Sequence, residues 1–217
     1  MNSFHKFLLS ACTLIFPLKI YGRDNIPDGK AVFVCNHLSA IDIGIVSKAY
    51  KGKDMFFLAK KEVFKNKFIT KIAVDFGAIS IDRENPDIKS LMQASKVLKE
   101  GHKLLIFPEG TRNKVNNNLQ ELKGGSVVFA VKAKCPVIPM FIEKHPRAFK
   151  RINFIIGQPF YFDEFYDKKL DDETIKQMEE KLREKLLAEQ ENLRVILETK
   201  KNKKKKVKKN KNDINKG

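Results

Sequence analysis

Short apolar runs, separated by stretches of helical periodicity, constrain this chain more than any other feature. Ala31-Val32-Phe33-Val34-Cys35 contains no charged or amide side chain and follows a turn-rich segment, Gly22-Arg23-Asp24-Asn25-Ile26-Pro27-Asp28-Gly29-Lys30. A short, apolar, β-branched run of this kind reads as a buried strand. Residues 54–59, Ala78–Ile81, residues 103–107, Val137–Ile142 and Ile152–Ile156 read the same way. Helical segments are predicted between and after them, over 40–50, 62–75, 86–100, 124–134 and 171–199. In the third of these, Ile88, Leu91, Met92, Ser95 and Leu98 recur near helical spacing, and Gly101 marks its end. In the last, Ile175, Met178, Leu182, Leu186, Leu193 and Leu197 form an apolar stripe. Alternating strands and helices predict an α/β fold: a central, mostly parallel or mixed β-sheet flanked by helices.

The 217 residues suffice for one domain with a proper core, and a 42% hydrophobic content excludes a disordered chain. Three cysteines, Cys12, Cys35 and Cys135, are odd in number and widely spaced. They fit free thiols in a reducing compartment, and no metal-ligand grouping accompanies them. No metal is therefore expected.

The formal net charge of +17 has two sources: ten lysines and one aspartate in residues 199–217 carry +9, leaving +8 on the rest. The body is basic in its own right, and the last nineteen residues form a polycation predicted to be disordered. Both favour an anionic partner. At the other end, Phe7-Leu8-Leu9-Ser10-Ala11-Cys12-Thr13-Leu14-Ile15-Phe16-Pro17-Leu18 is apolar and framed by Lys6 and Lys19. Twelve residues fall short of the roughly 20 that span a bilayer as a helix. No small-x-small cleavage site follows, so the segment reads as a membrane-associating helix lying in the interface, with a buried first helix as the alternative. The predicted organisation is an interfacial anchor over 1–21, a globular domain over 22–198 and a polylysine tail over 199–217.

Two segments carry chemistry. Asn36-His37-Leu38-Ser39-Ala40-Ile41-Asp42 places an imidazole and a carboxylate where a strand gives way to a helix. Within one continuous helix, a spacing of five separates two side chains by about 140°. They meet only if His37 lies in the loop and Asp42 in the helix's first turn. Ser39-Ala40-Ile41-Asp42 has the pattern of an N-cap with an acidic N3 residue, which supplies that boundary. The pair reads equally as a helix cap beside a loop histidine and as a base oriented by a carboxylate.

The second segment, Phe107-Pro108-Glu109-Gly110-Thr111-Arg112, leaves a strand at the end where α/β sites form. Arg112 has the planar fork that chelates phosphate, and Gly110 lets backbone approach a ligand. An ordinary turn with a surface ion pair is the plainer alternative. Gly77-Ala78-Ile79-Ser80-Ile81-Asp82-Arg83 supplies a second arginine after a strand, and Cys135-Pro136-Val137-Ile138-Pro139 is a strand shaped by prolines.

These four blocks, in this order, resemble the motifs of the 1-acylglycerol-3-phosphate acyltransferase family of glycerolipid acyltransferases, over roughly residues 22–160. The first resembles its His-x4-Asp motif. The resemblance implies acyl transfer from acyl-CoA or acyl-acyl-carrier protein to the sn-2 hydroxyl of lysophosphatidic acid, yielding phosphatidic acid in one step without an acyl-enzyme. It implies catalytic His37 and Asp42, and acceptor binding by Arg83, Glu109, Gly110, Thr111 and Arg112. It implies no cofactor beyond the acyl donor; the N-terminal segment and the basic charge, read from the residues themselves, predict a peripheral or monotopic place on the cytoplasmic face of an anionic membrane. Asn113 stands where a serine is common, and the lysine tail is not part of the pattern. An acyltransferase for glycerol-3-phosphate or another lysophospholipid is the rival within the class. The tail also suggests a basic nucleic-acid-binding protein, but polylysine binds any polyanion and no nucleic-acid motif accompanies it.

Overall fold

The computed structural model describes residues 14–82, 88–123 and 125–214. Its strands are β1 (Leu18–Tyr21), β2 (Ala31–Cys35), β3 (Met55–Lys60), β4 (Ala78–Ile81), β5 (Lys103–Ile106), β6 (Val137–Ile142) and β7 (Ile152–Ile156). They form one sheet in the order β1-β7-β6-β2-β5-β3-β4. Neighbours are parallel except β6 and β7, so β1 and β7 run against the other five. The carboxyl ends of β2 through β6 therefore share one edge of the sheet with the starts of β1 and β7.

Helices α3 (Ile88–Lys99), α4 (Gly125–Ala133) and α5 (Asp172–Ile214) cover one face, packing on Val32, Val34, Leu104 and Ile106. The opposite face carries Phe33, Cys35, Leu105 and Ile138 against Ile45, Val46 and Ala49 of α1 (Asp42–Tyr50). All five residues of β2 are buried, which is why its sequence shows no polar alternation. Each such large side chain contributes about 1.5–3 kcal/mol. Truncating the wholly buried Phe33 to alanine is expected to remove about 3–5 kcal/mol.

The mixed α/β sheet matches expectation, but several boundaries move. Leu18–Tyr21, placed in the anchor by sequence, is an edge strand. Leu18 and Ile20 pack into one core and Tyr21 into the other, leaving Lys19 exposed. Most of the interfacial segment, residues 1–13, lies outside the described residues; Leu14 and Ile15 are helical, 77% and 39% exposed. No described helix is long and apolar enough to cross a membrane.

The single helix predicted over 62–75 is a 3-10 segment, Lys61–Lys65, followed by α2 (Lys67–Asp75). Asn66 is extended, and its side-chain oxygen accepts the N–H groups of Phe68 and Ile69 at 3.0 and 3.2 Å. A cap there must break the preceding helix. The last helix, predicted to stop at 199, continues to Ile214 through the segment assigned to disorder. Lysine is a good helix former, and a helix already nucleated by buried residues extends one hydrogen bond at a time.

Candidate active site

The chain leaves β2 at Asn36 without stranding its neighbour. The Asn36 side chain donates to the Ile142 carbonyl at 3.1 Å and accepts the Ile142 N–H at 2.8 Å, replacing ladder bonds that β2 no longer makes. His37 follows in the loop at the sheet's carboxyl edge. Its Nδ1 lies 2.9 Å from Asp42 Oδ2, and its ring stacks on Phe107 with centroids 4.0 Å apart.

Asp42 opens α1 and is wholly buried. Its Oδ2 also accepts the backbone N–H groups of Leu38 at 2.6 Å and Ser39 at 2.7 Å. Half of the predicted capping box is present: the acidic residue reaches back to Ser39 N–H. The other half is not, because Asp42 N–H donates to the Ser39 carbonyl at 3.2 Å and Ile41 is the N-cap. The helix therefore starts later than the sequence pattern implies, and the carboxylate serves the loop more than the helix. An oxygen that already accepts from two amides receives the His37 proton too, so Nδ1 donates and Nε2 keeps its lone pair. Asp42 Oδ1 has no hydrogen-bond partner among the described residues.

Glu109 lies at the exit of β5, and it faces inward. Predicted to touch the acceptor, it is 2% exposed and both carboxylate oxygens are occupied. Oε1 accepts the His37 N–H at 2.7 Å and Oε2 the Gln120 N–H at 3.1 Å. Burial pushes its carboxyl above the ordinary range; the hydrogen bonds from His37 and Gln120 oppose this, and the Asp42 charge adds to it. Sequence showed a carboxylate on a turn, without the direction in which it points.

The rest of the turn faces out. Gly110 adopts φ 67° and closes on the Phe107 carbonyl at 3.1 Å. The nearest atoms to an added Cβ belong to the flexible Lys123 side chain, so backbone conformation is what calls for glycine here. Thr111 and Arg112 are exposed. Asn113, which sequence reading noted only as a departure from serine, is 1% exposed, and its N–H donates to the His37 carbonyl at 2.7 Å. Its side chain accepts from Val115 and Asn116 and donates to Asn116 and Asn118, shaping the loop after Arg112. Both backbone groups of His37 are thus bound by the segment that carries Arg112. Arg83 lies outside the described residues.

Neither nearby nucleophile suits covalent chemistry. Cys35 is wholly buried, and burial, with the negative charges of Asp42 and Glu109, holds its thiol well above the usual range. Among the described residues, the Ser39 hydroxyl oxygen accepts the Ile41 N–H at 3.5 Å, with no base bonded to it. What remains is an imidazole fixed by a carboxylate, with one nitrogen left for an incoming hydroxyl.

The sheet carries this pair at its carboxyl edge, with Arg112 on the turn beside it, an arrangement of the α/β enzyme class. The family model described as "Acyltransferase" matches residues 17–143, and the chain belongs to that acyltransferase family. A 1-acyl-sn-glycerol-3-phosphate acyltransferase of Bacillus subtilis is 32% identical over 171 residues, 74% of this chain and 84% of that protein. Proteins of the same name from Helicobacter pylori and Streptococcus pneumoniae are 35% and 30% identical, over 61% and 71% of this chain. The matches span 57% and 59% of those two proteins. The crystal structure of the 1-acyl-sn-glycerophosphate acyltransferase PlsC from Thermotoga maritima aligns with a TM-score of 0.62, covering 90% of this chain and 83% of that one. At 21% identity that likeness shows the fold.

Proposed function

We propose that the protein transfers a fatty acyl group from a thioester donor, acyl-CoA or acyl-acyl-carrier protein, to the sn-2 hydroxyl of 1-acylglycerol-3-phosphate, giving phosphatidic acid. One observation carries this reading: His37 Nδ1 is tied to Asp42 at 2.9 Å while both backbone groups of His37 are bonded to the Glu109–Asn113 segment. Nε2 accepts the hydroxyl proton as the oxygen attacks the thioester carbonyl. The new ester C–O bond forms, the C–S bond breaks, and the imidazolium returns its proton to the departing thiolate. Asp42 holds the tautomer and offsets the positive ring. Arg112, with Arg83, binds the acceptor's phosphate, and Glu109 acts by holding the His37 loop. The relatives' shared name, together with the His-x4-Asp geometry, supports this acceptor.

The enzyme works at the cytoplasmic face of an anionic membrane, held from the N-terminal side. Incubation with mixed lysolipids, glycerol-3-phosphate and both thioester donors, followed by mass spectrometry, tests the reading. Phosphatidic acid as the main product is expected. Dominant acylation of glycerol-3-phosphate, or of an acceptor lacking phosphate, would overturn it.

A further inference from the structure

We propose that the loop over 143–151 docks the protein on anionic phospholipid beside the catalytic pair; this rests on the membrane-peripheral reading above and assigns it a surface. The loop follows β6, so it leaves the sheet at the same edge as His37. Its neighbours are the loop after Arg112 and the end of the N-terminal apolar segment. His145 N–H donates to Asn117 Oδ1 at 2.9 Å, and Phe149 N–H donates to the Ile15 carbonyl at 2.6 Å.

Lys144, His145, Arg147, Lys150 and Arg151 line a cleft of about 480 Å³ there. Lys144 is 3.6 Å from Glu143, and the His145 ring meets the Asn116 carbonyl. Arg147, Lys150 and Arg151 form no ion pair among the described residues and are exposed. Uncompensated cations grouped around a concave surface favour a polyanion.

Apolar groups stand beside these charges. Phe149 is 76% exposed, Val115 87% and Leu14 77%. Phe149 also sits at φ 58°, a left-handed conformation that bulky residues rarely adopt. The bond to Ile15 holds it there. Exposed apolar side chains among unpaired cations, continuous with an apolar N-terminal segment, match a bilayer's anionic interface better than a soluble polyanion.

The lysine-rich part of α5 begins at the opposite edge. Lys200 Nζ donates to Tyr21 Oη at 3.1 Å, and Tyr21 ends β1 at the opposite edge. From Lys200 the helix runs about 21 Å further, at 1.5 Å per residue. Beside the active site, the loop supplies cations of its own.

The test uses the full chain in sedimentation with vesicles of phosphatidylcholine alone or with 30% phosphatidylglycerol, alongside turnover on detergent-dispersed substrate. A triple variant, Arg147→Gln, Lys150→Gln, Arg151→Gln, and a separate Phe149→Ser variant are compared with the parent. Each basic side chain near an anionic surface is worth roughly fivefold in affinity. The triple variant should bind anionic vesicles at least about 10-fold more weakly, with turnover in detergent unchanged. Phe149→Ser should weaken binding to both vesicle types. Equal binding by parent and triple variant overturns the loop's role while leaving the membrane reading intact. A parent that binds neither vesicle overturns both. Loss of turnover in detergent, or a raised KM for the thioester donor there, places substrate in the cleft and overturns the docking role.

Discussion

The backbone N–H of His37 donates to Glu109 Oε1 at 2.7 Å, joining segments 72 residues apart in sequence. The imidazole is held at its ring by Asp42 and at its backbone by the strand-exit turn that leads to Arg112. Two motifs that sequence presents as a base and an anion clamp are mechanically one unit, and Glu109 is the joint. Several expected outcomes depend on that arrangement.

Glu109→Gln keeps the shape and removes one acceptor. The amide NH2 must then face either His37 N–H or Gln120 N–H, leaving a buried donor unsatisfied at about 1–3 kcal/mol. Chemical denaturation at neutral pH should show a loss in that range. The kcat should fall more than KM rises, because the His37 loop shifts while Arg112 stays in place.

Glu109 also predicts a pH signature. Its folded-state carboxyl titrates above the ordinary value, so between the two the folded protein holds a proton that the unfolded chain releases. The stability it contributes is full below the unfolded value and is lost as pH rises through the folded one. Thermal unfolding from about pH 4 to 8 should show this decline in the parent, and Glu109→Gln should flatten it.

Asp42→Asn retains an oxygen for the amides of Leu38 and Ser39 but loses the charge that supports an imidazolium. A fall in kcat on the order of 10²–10⁴-fold is expected, with circular dichroism unchanged. A decrease below tenfold would mean that Asp42 serves only as a loop cap.

Arg112→Ala should raise KM for lysophosphatidic acid about 10- to 100-fold, the worth of a charged hydrogen-bonding contact, with a smaller effect on kcat. The same variant should treat an acceptor lacking phosphate as the parent does. A uniform loss on both acceptors would remove Arg112 from phosphate binding.

Cys35→Ala should leave turnover near the parent's, and thiol alkylation of the native protein should not touch residue 35. The thiol is wholly buried and its ionisation is suppressed. Trapping an acyl group on Cys35 would replace direct transfer with a covalent route.

The sheet was legible in the sequence where burial on both faces leaves unbroken apolar runs, as in β2 and β6. It was illegible at β1, where four residues directly follow an apolar segment and merge with it. The His37–Asp42 pair could be placed because a spacing of five across a strand-to-helix boundary has few outcomes. The inward turn of Glu109, the ladder role of Asn36 and the loop built by Asn113 could not be placed. A sequence shows that a polar residue lies on a turn, but its direction depends on which distant backbone groups lack partners. The basic loop after β6 is illegible in the sequence for a related reason: its cations gain meaning only beside Ile15 and Asn117, which are far away in sequence.

The central claim is that the His37 imidazole takes the acceptor's hydroxyl proton. The direct measurement is phosphatidic acid formation by His37→Ala at saturating lysophosphatidic acid and acyl donor, with folding checked by thermal unfolding. The account predicts a folded protein whose kcat is lower by about 10²–10⁴-fold. A folded variant turning over within tenfold of the parent would contradict it.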